Sequence, residues 1–89
     1  MEEYIGVIKM FGGSYPPQYY MDCDGTVLQI QANQALFSVL GTTYGGDGRT
    51  SFGLPDLRAR DANGQPIPFN VKGPRWIICV QGIYPSREQ

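Results

Sequence analysis

The sequence predicts a small α+β fold that is mainly β, with short strands around one short helix and a glycine-rich loop. Gly and Pro supply 12 and 7 of the 89 residues, which favours many turns over long helices. Apolar segments rich in β-branched and aromatic residues lie between those turns, and only about residues 33–40 have helical spacing. At this length we expect one domain over residues 1–89.

Strand candidates are spread along the whole chain. Residues 4–11 are rich in β-branched and aromatic side chains, and residues 26–30 have the pattern of a strand with one buried face. Residues 76–80 form a nearly continuous apolar run, which indicates a strand buried on both faces. A short strand is also expected at 69–72, and the Asn63-Gly64 pair predicts a hairpin turn before it.

Residues 15–20 hold two adjacent prolines flanked by tyrosines. Prolines fix an extended path and cannot donate hydrogen bonds to a neighbouring strand. We interpret the segment as a rigid crossover packed on the core. The alternative is a recognition surface that includes Tyr19 and Tyr20.

The helix is predicted over residues 33–40. Asn33 is expected to cap its start by accepting hydrogen bonds from the free N–H groups of the first turn, and Gly41 stands where a left-handed residue often ends a helix. Three side chains at helical spacing form its apolar stripe: Leu36, Val39 and Leu40. Because so short a helix is not stable alone, it must pack on strands or on another subunit.

A glycine-rich loop over residues 42–50 follows the helix. It is not a phosphate-binding loop, because Gly48 is followed by Arg49 rather than by Lys and Ser or Thr, and the helix precedes the loop. The glycines are interpreted as residues that adopt backbone angles closed to others. Further along, the core is expected to include Phe52, Leu54 and Leu57.

Two acid–base pairs have the same two-residue spacing, Asp47 with Arg49 and Asp56 with Arg58. We interpret them as an internal polar network that fixes the loop, because arginine offers a planar fork of donors. The residues assigned to this network are Asn33, Asp47, Arg49, Asp56 and Arg58.

The alternative is a surface patch that binds a sugar. Its candidate ligand-binding residues are Tyr44, Asp47, Arg49, Tyr19 and Tyr20. A third interpretation takes Asp47 and Asp56 as the carboxylates of a glycosidase. Neighbouring arginines lower carboxylate pKa values, which suits a salt bridge better than a general acid, so no catalytic residue is assigned.

Composition narrows the possible functions further. The chain has no histidine, which excludes histidine bases, Ser-His-Asp triads and histidine zinc sites. A net charge of −1 without clustered Lys and Arg argues against nucleic acid, and no apolar run is long enough for a transmembrane helix. We therefore expect no metal, no cofactor, no nucleic-acid partner and no membrane insertion.

Residues 22–25 begin like a calcium loop, but the following residues supply no further oxygen ligands, so a side-chain-capped turn is predicted instead. Cys23 and Cys79 lie beside strand-like apolar residues, which favours buried thiols, although a disulfide is arithmetically possible. The acidic N-terminus lacks a long apolar region. We therefore expect synthesis in the cytoplasm without a signal peptide, and exit in an assembled particle, by lysis or by an unconventional route.

Several blocks of this sequence resemble the phage tail collar domain family, which includes the microcystin-dependent proteins and many tail-fibre-like proteins. The most characteristic block is similar to residues 33–48, and the block after it to residues 52–58. Residues 4–11 resemble the opening strand of the family, residues 23–25 match its Cys-Asp-Gly turn, and residues 77–87 resemble the C-terminal tail of longer members.

This chain departs from the family pattern in three places. Tyr19-Tyr20 stand where the family usually has Gly-Trp, and Ala59 stands where it has Gly. Residues 62–75 replace a large insertion that contains glycine and histidine in longer members. In a phage short tail fibre, related sequence belongs to a trimeric receptor-binding tip whose histidines hold metal. That metal site cannot exist in a chain without histidine.

The resemblance implies a non-enzymatic tail-fibre-like or collar-like protein of a virion or tail-like particle. It implies a homotrimer that binds a cell-surface glycan or receptor. Trimerisation would also bury apolar surface that an 89-residue chain leaves uncovered. The alternative is a structural or assembly module that binds only another tail protein.

Overall fold

Five short strands and one short helix form the secondary structure of a computed structural model, which describes residues 3–69 and 74–86. In chain order they are β1 (Ile8–Phe11), β2 (Tyr20–Asp22), β3 (Val27–Gln29), α1 (Gln34–Leu40), β4 (Ser51–Gly53) and β5 (Arg75–Cys79). The predicted class, α+β and mainly β, is confirmed. Within the described residues, no helix has the length and apolarity needed to cross a bilayer.

The larger sheet has three antiparallel strands in the order β1-β5-β2. Ile78 of β5 pairs with Ile8 on one side and with Met21 on the other. Residues 77–79 have no exposed area, so the apolar run predicted as a strand buried on both faces is confirmed at the centre of this sheet. Trp76, at the end of the run, stays partly exposed.

The smaller sheet pairs β3 with β4, and Leu28 lies opposite Phe52. The helix packs against this sheet through Phe37, whose ring centroid is 5.3 Å from that of Phe52. Two tilted aromatic rings at this distance form a favourable contact. The helix therefore finds the strand support that its length requires.

The predicted helix is confirmed over Gln34–Leu40, but the predicted cap is wrong. No side-chain hydrogen bond caps the first turn, because the Asn33 side-chain amide instead donates backwards to the Gln29 carbonyl at 3.0 Å. Gly41 has a φ of 59° and a ψ of −147°, a region that glycine alone reaches cheaply. Its N–H donates to the Phe37 carbonyl at 2.7 Å and closes the last turn.

The apolar stripe of the helix is only partly buried. Leu36 is enclosed by the core, and Phe37 and Leu40 pack against it. Val39 is 37% exposed, so strands of the same chain cover the stripe only in part, and its packing on another subunit stays a prediction. The Val39 side chain lies close to the N-terminal turn. Its Cγ1 is 2.9 Å from the position that a Cβ on Gly6 would occupy.

Two predicted segments differ from the observed strands. The strand expected at 4–11 begins only at Ile8, because Gly6 adopts a φ of 94° within a turn. β2 begins at Tyr20, the last residue of the segment expected to be a crossover, and β4 begins at Ser51, directly after the glycine-rich loop. Each of these two strands has three residues, too few to show a periodicity.

The hairpin turn at Asn63-Gly64 is confirmed, with Gly64 at a φ of 82° and a bridge between Arg60 and Pro66. The strand expected at 69–72 lies largely outside the described residues. Leu57, expected in the core, is exposed. It lies between two residues whose side chains pair with each other, Asp56 and Arg58.

The core consists of two apolar clusters on opposite faces of β5. The larger cluster contains Ile5, Cys23, Leu36, Phe52, Leu54 and Ile78. The smaller contains Tyr20, Ile77 and Cys79, with Phe11 against it. Both cysteines are free and buried, as predicted. Burial raises the pKa of the Cys23 thiol to about 12 and also raises that of Cys79, so both thiols stay protonated and unreactive at neutral pH.

Candidate functional site

The glycine-rich segment wraps around a single carboxylate, that of Asp47. Oδ1 of this group accepts the backbone N–H groups of Arg49 at 2.9 Å, Thr50 at 2.9 Å and Ser51 at 3.0 Å. Oδ2 accepts the Thr50 hydroxyl at 3.2 Å. We call residues 45–51 the Asp47 loop. Because the N–H of Thr50 and then those of Arg49 and Ser51 favour the charged form, the pKa of Asp47 lies far below its usual range.

Gly46 lets the backbone close on itself in this loop. It has a φ of 88°, and a Cβ at this position would lie 2.3 Å from Cα of Phe52. Gly48 also has a positive φ, 75°, and its N–H donates to the Ser51 carbonyl at 2.9 Å. The loop is thus fixed by main-chain geometry and by one acceptor at its centre.

Asp56 is held differently. Its Oδ1 accepts Nε of Arg58 at 2.9 Å and its Oδ2 accepts Nη2 of the same residue at 2.8 Å, which is a bidentate pair. Arg60 adds a third contact to Oδ2 at 3.3 Å. The Arg58 hydrogen bonds lower the pKa of Asp56 to about 2.

The residues predicted to form one network therefore occupy separate places. Asp47 binds backbone groups, Asp56 binds arginines, and Asn33 binds the end of β3. No hydrogen bond joins the carboxylates of Asp47 and Asp56 to a common partner within the described part of the chain. In particular, the guanidinium of Arg49 has no hydrogen bond or ion pair among the described residues.

The Arg49 side chain lines a groove of about 610 Å³ between the β3–α1 connection and the Asp47 loop. The lining combines the apolar side chain of Ile30 with six polar residues, Gln29, Gln31, Gln34, Arg49, Thr50 and Ser51. We call it the glutamine groove. Sequence reasoning proposed Arg49 but missed the three glutamines. Their signal was a set of amide side chains at 29, 31 and 34 within an uncharged stretch.

The three tyrosines proposed as ligand-binding residues do not line this groove. Tyr20 is only 7% exposed and belongs to the smaller core cluster. Tyr19 is partly exposed, has a φ of 76° and lines a separate shallow cavity with Gln81 and Ile83. Tyr44 is exposed. Among the candidates, the structure thus brings Asp47 and Arg49 into one loop and leaves the tyrosines apart.

A second surface feature is apolar. Tyr4, Val39, Ile83 and Tyr84 are all exposed, and they line two adjoining cavities of about 370 and 480 Å³ that share Pro85. We call these five residues the apolar patch. Tyr4 forms an isolated bridge with Ile83, and the Tyr84 hydroxyl lies 2.8 Å from the Ser38 hydroxyl. Of the residues that the structure describes, none that lines these two cavities is charged.

These arrangements suit binding better than catalysis. Both candidate carboxylates are held in the charged form by fixed donors, so neither can serve as a general acid at neutral pH. In the described ranges, no group of three or more His, Cys, Asp or Glu side chains could hold a metal ion. Asp24, in the turn that starts like a calcium loop, accepts the Thr26 N–H at 3.2 Å and its hydroxyl at 2.6 Å.

Comparison with known proteins identifies the family. The sequence model of the phage tail collar domain matches residues 6–62, which is more than half of the 89 residues. The match includes the Asp47 loop, the Asp56 pair and the helix, and it stops before β5. No curated protein matches this sequence. The chain therefore belongs to the phage tail collar domain family, which indicates a structural module of the phage tail-fibre type.

Proposed function

We propose that this chain is a one-domain, non-enzymatic module of a phage tail or tail-derived particle, that it functions as a homotrimer, and that it binds a cell-surface glycan. We further propose that it is made in the cytoplasm and acts in a virion, in a tail-like particle or after release. Family membership supports the tail association. The observation that carries the proposal is the distribution of apolar side chains.

Among the described residues, twelve large hydrophobic side chains are exposed, whereas nine hydrophobic residues are buried. A small domain already buries a low share of its surface, so such an imbalance leaves the isolated chain with a small core. Contiguous exposed apolar surface in a soluble protein marks an interaction site. Association would therefore complete the burial that a single copy lacks.

A second copy of the same chain is the partner that best fits the apolar patch. Because none of the described residues that line the patch is charged, these residues create no like-charge repulsion between identical copies. Copies related by a threefold axis can bring their patches together at that axis. The trimer is preferred over other states because the resemblance to tail-fibre tips implies three copies.

Binding of a glycan without hydrolysis agrees with the polar surface. The Asp47 loop exposes Arg49 next to several amide side chains, whereas Oδ1 of its carboxylate accepts three backbone N–H groups. A site of this composition can hold hydroxyl groups but offers no free pair of carboxylates for glycosidic cleavage.

The second candidate function is an assembly module that binds only another tail protein. The apolar patch favours it, because that patch could seat a different chain instead of a second copy. Under this alternative the polar surface binds no glycan. The oligomeric state of the purified chain distinguishes a second copy from a different tail protein as the partner at the apolar patch.

The test is light scattering over a dilution series on the wild type and on two matched variants. Val39→Lys places a charge in the apolar patch, and Val27→Lys makes the same change at another exposed valine, on β3. We expect a trimer mass for the wild type and for Val27→Lys. Val39→Lys should dissociate at concentrations at which the wild type stays assembled, because a charge would be buried between copies.

A wild-type chain that remains a monomer at every concentration would overturn the trimer and favour the assembly alternative. A trimer that is equally stable in both variants would show that the apolar patch is not the interface. Circular dichroism of Val39→Lys controls for loss of the fold.

A further inference from the structure

We infer that the glutamine groove binds an acidic saccharide, a sugar that carries a carboxylate or phosphate group. The inference deepens the proposed function and rests on its glycan-binding part. It assigns a place on the molecule and a chemical class of ligand.

The groove has the size and the walls of a small-ligand site. Its volume of about 610 Å³ lies within the usual range for ligand pockets, roughly 300–1,000 Å³. One wall is the end of β3 and the first residue of α1, and the other is the end of the Asp47 loop. The Ile30 N–H donates to the Thr50 carbonyl at 3.0 Å and joins the two walls.

Arg49 is the single charged residue among the described residues that line the groove, and its guanidinium makes no ion pair with a described carboxylate. Asp47 lies two residues away and keeps its negative charge, but its hydrogen bonds go to backbone N–H groups and hydroxyls. A guanidinium forms short bidentate hydrogen bonds with carboxylates and phosphates, so the ligand should supply such an anion.

The remaining polar groups suit hydroxyls. Each of the three glutamine side chains offers two donors and an acceptor, and none makes a hydrogen bond within the described residues. One cation beside several neutral amides matches a ligand with one charge and many hydroxyl groups. A nucleic acid would need several clustered cations, which the groove does not have.

The loop places Arg49 before any ligand arrives. Its own backbone N–H and those of the next two residues are held by Asp47, at 2.9–3.0 Å. The backbone that carries the guanidinium is therefore ordered in the free protein. Preorganisation of this kind lowers the entropy cost of binding.

The experiment is a titration followed by NMR chemical shifts, with trigalacturonic acid and glucose 1-phosphate as acidic probes. The methyl ester of trigalacturonic acid provides a neutral sugar of the same shape, and inorganic phosphate provides an anion without a sugar. The proteins are the wild type, Arg49→Gln, Arg49→Lys and Arg60→Gln. Arg60 is the matched control, because it is an exposed arginine outside the groove and paired with Asp56.

We expect at least one acidic saccharide to shift the signals of the groove residues in the wild type. Arg49→Gln should weaken this binding at least about tenfold, which is the cost of losing roughly one charged hydrogen-bonded contact. Arg49→Lys should retain part of it, because the charge remains and the fork is lost. Arg60→Gln should bind as the wild type does.

Absence of binding for both acidic probes would overturn the inference, as would equal binding by wild type and Arg49→Gln. Inorganic phosphate that binds as tightly as the sugars would show a simple anion site and overturn the saccharide assignment. If the wild type binds the neutral ester as tightly as trigalacturonic acid, the proposed glycan function stands and this inference fails. A trimer that binds neither the acidic nor the neutral sugar would also overturn the glycan-binding part of the proposed function.

Discussion

The Asp47 loop and the segment around Asp56 share a sequence pattern but fold around different partners. Each has an aspartate followed two residues later by an arginine. In both, the backbone N–H of that arginine donates to the aspartate, at 2.9 Å for Arg49 and 3.2 Å for Arg58. The arginine side chains then diverge, because Arg58 returns to its aspartate and Arg49 does not.

The difference shows that the backbone decides what a carboxylate binds. Gly46 and Gly48 adopt positive φ angles and curl the chain, so that three N–H groups reach Asp47 before any side chain can. At Asp56 only the N–H of Arg58 reaches the carboxylate, and the guanidinium of the same residue binds both of its oxygens. At Asp47 three N–H groups converge on Oδ1 instead, and Oδ2 accepts the Thr50 hydroxyl.

Replacing the glycine that closes the Asp47 loop should give the largest effect. In Gly46→Ala the new Cβ would meet backbone atoms of Phe52 and Ser51 within 2.6 Å, at a φ that disfavours side chains. We expect a loss of about 2–4 kcal/mol in the free energy of unfolding, as for other changes that strain special backbone positions. Urea denaturation measures it.

Two glycine controls make this test specific. Gly12→Ala meets no atom within 4 Å at an ordinary φ, so it should change stability by less than about 0.5 kcal/mol. Gly25→Ala has a φ of 81° and meets the Asp56 side chain at 3.3 Å, and it should lie between the two at about 1–2 kcal/mol. An equal loss in all three variants would contradict the role given to the Asp47 loop.

Two double-mutant cycles should show different coupling energies for the two Asp-Arg pairs. We expect a smaller change in stability here than for Gly46→Ala. Asp56→Asn with Arg58→Gln should show a coupling energy clearly different from zero, because their side chains pair in bidentate fashion. Asp47→Asn with Arg49→Gln should show none, and Arg49→Gln alone should leave the melting temperature unchanged. Thermal unfolding of the six variants and the wild type supplies both cycles. Similar couplings in the two cycles would contradict the comparison.

Acid should weaken both regions. The pKa of each aspartate is lowered in the folded protein, so each contributes stability above its unfolded pKa and loses it as the pH falls towards the folded value. For Asp56 the window runs from the ordinary value of 3.8 down to about 2, and for Asp47 it extends lower. The melting temperature should therefore fall on acidification below about pH 4, and less steeply in Asp56→Asn and Asp47→Asn.

Added salt should change stability least of all, and it should act only on the ion pairs of Asp56. At pH 7, about 1 M sodium chloride weakens the attraction between Asp56 and its arginines, so the wild type and Asp56→Asn should become more similar in stability. The gap between the wild type and Asp47→Asn should persist, because it depends on backbone hydrogen bonds. A salt response of equal size at Asp47 would mean that Arg49 does pair with it.

Only part of this organisation could be predicted from the sequence. The helix and β5 were predictable because eight and five residues respectively are enough to show a pattern of apolar side chains. The strands β2 and β4 were not, because their hydrogen bonds depend on partners that the local sequence does not name. Val39 followed the helical spacing and is still 37% exposed, since the described residues cover that side of the helix only in part.

The candidate site was predictable in its residue types and not in its arrangement. Identical spacing at Asp47-Arg49 and Asp56-Arg58 suggested identical roles. The deciding information lay in the glycines at 46 and 48 and in the close approach of Phe52, which is set by the pairing of β3 with β4. The glutamines of the groove carry no motif. Their common purpose appears only when β3 and the loop lie side by side.

The position of β5 in the sheet has a consequence for folding during synthesis. Both β1 and β2 pair only with β5, which follows them by more than fifty residues in the chain. Until Arg75–Cys79 has been synthesised, the two earlier strands of the larger sheet lack their shared neighbour, and Ile8 and Met21 lack Ile78, the residue with which both pair. The larger sheet can therefore form only after β5 has been synthesised. Until then the nascent chain exposes unpaired strand edges, which chaperones could protect from aggregation.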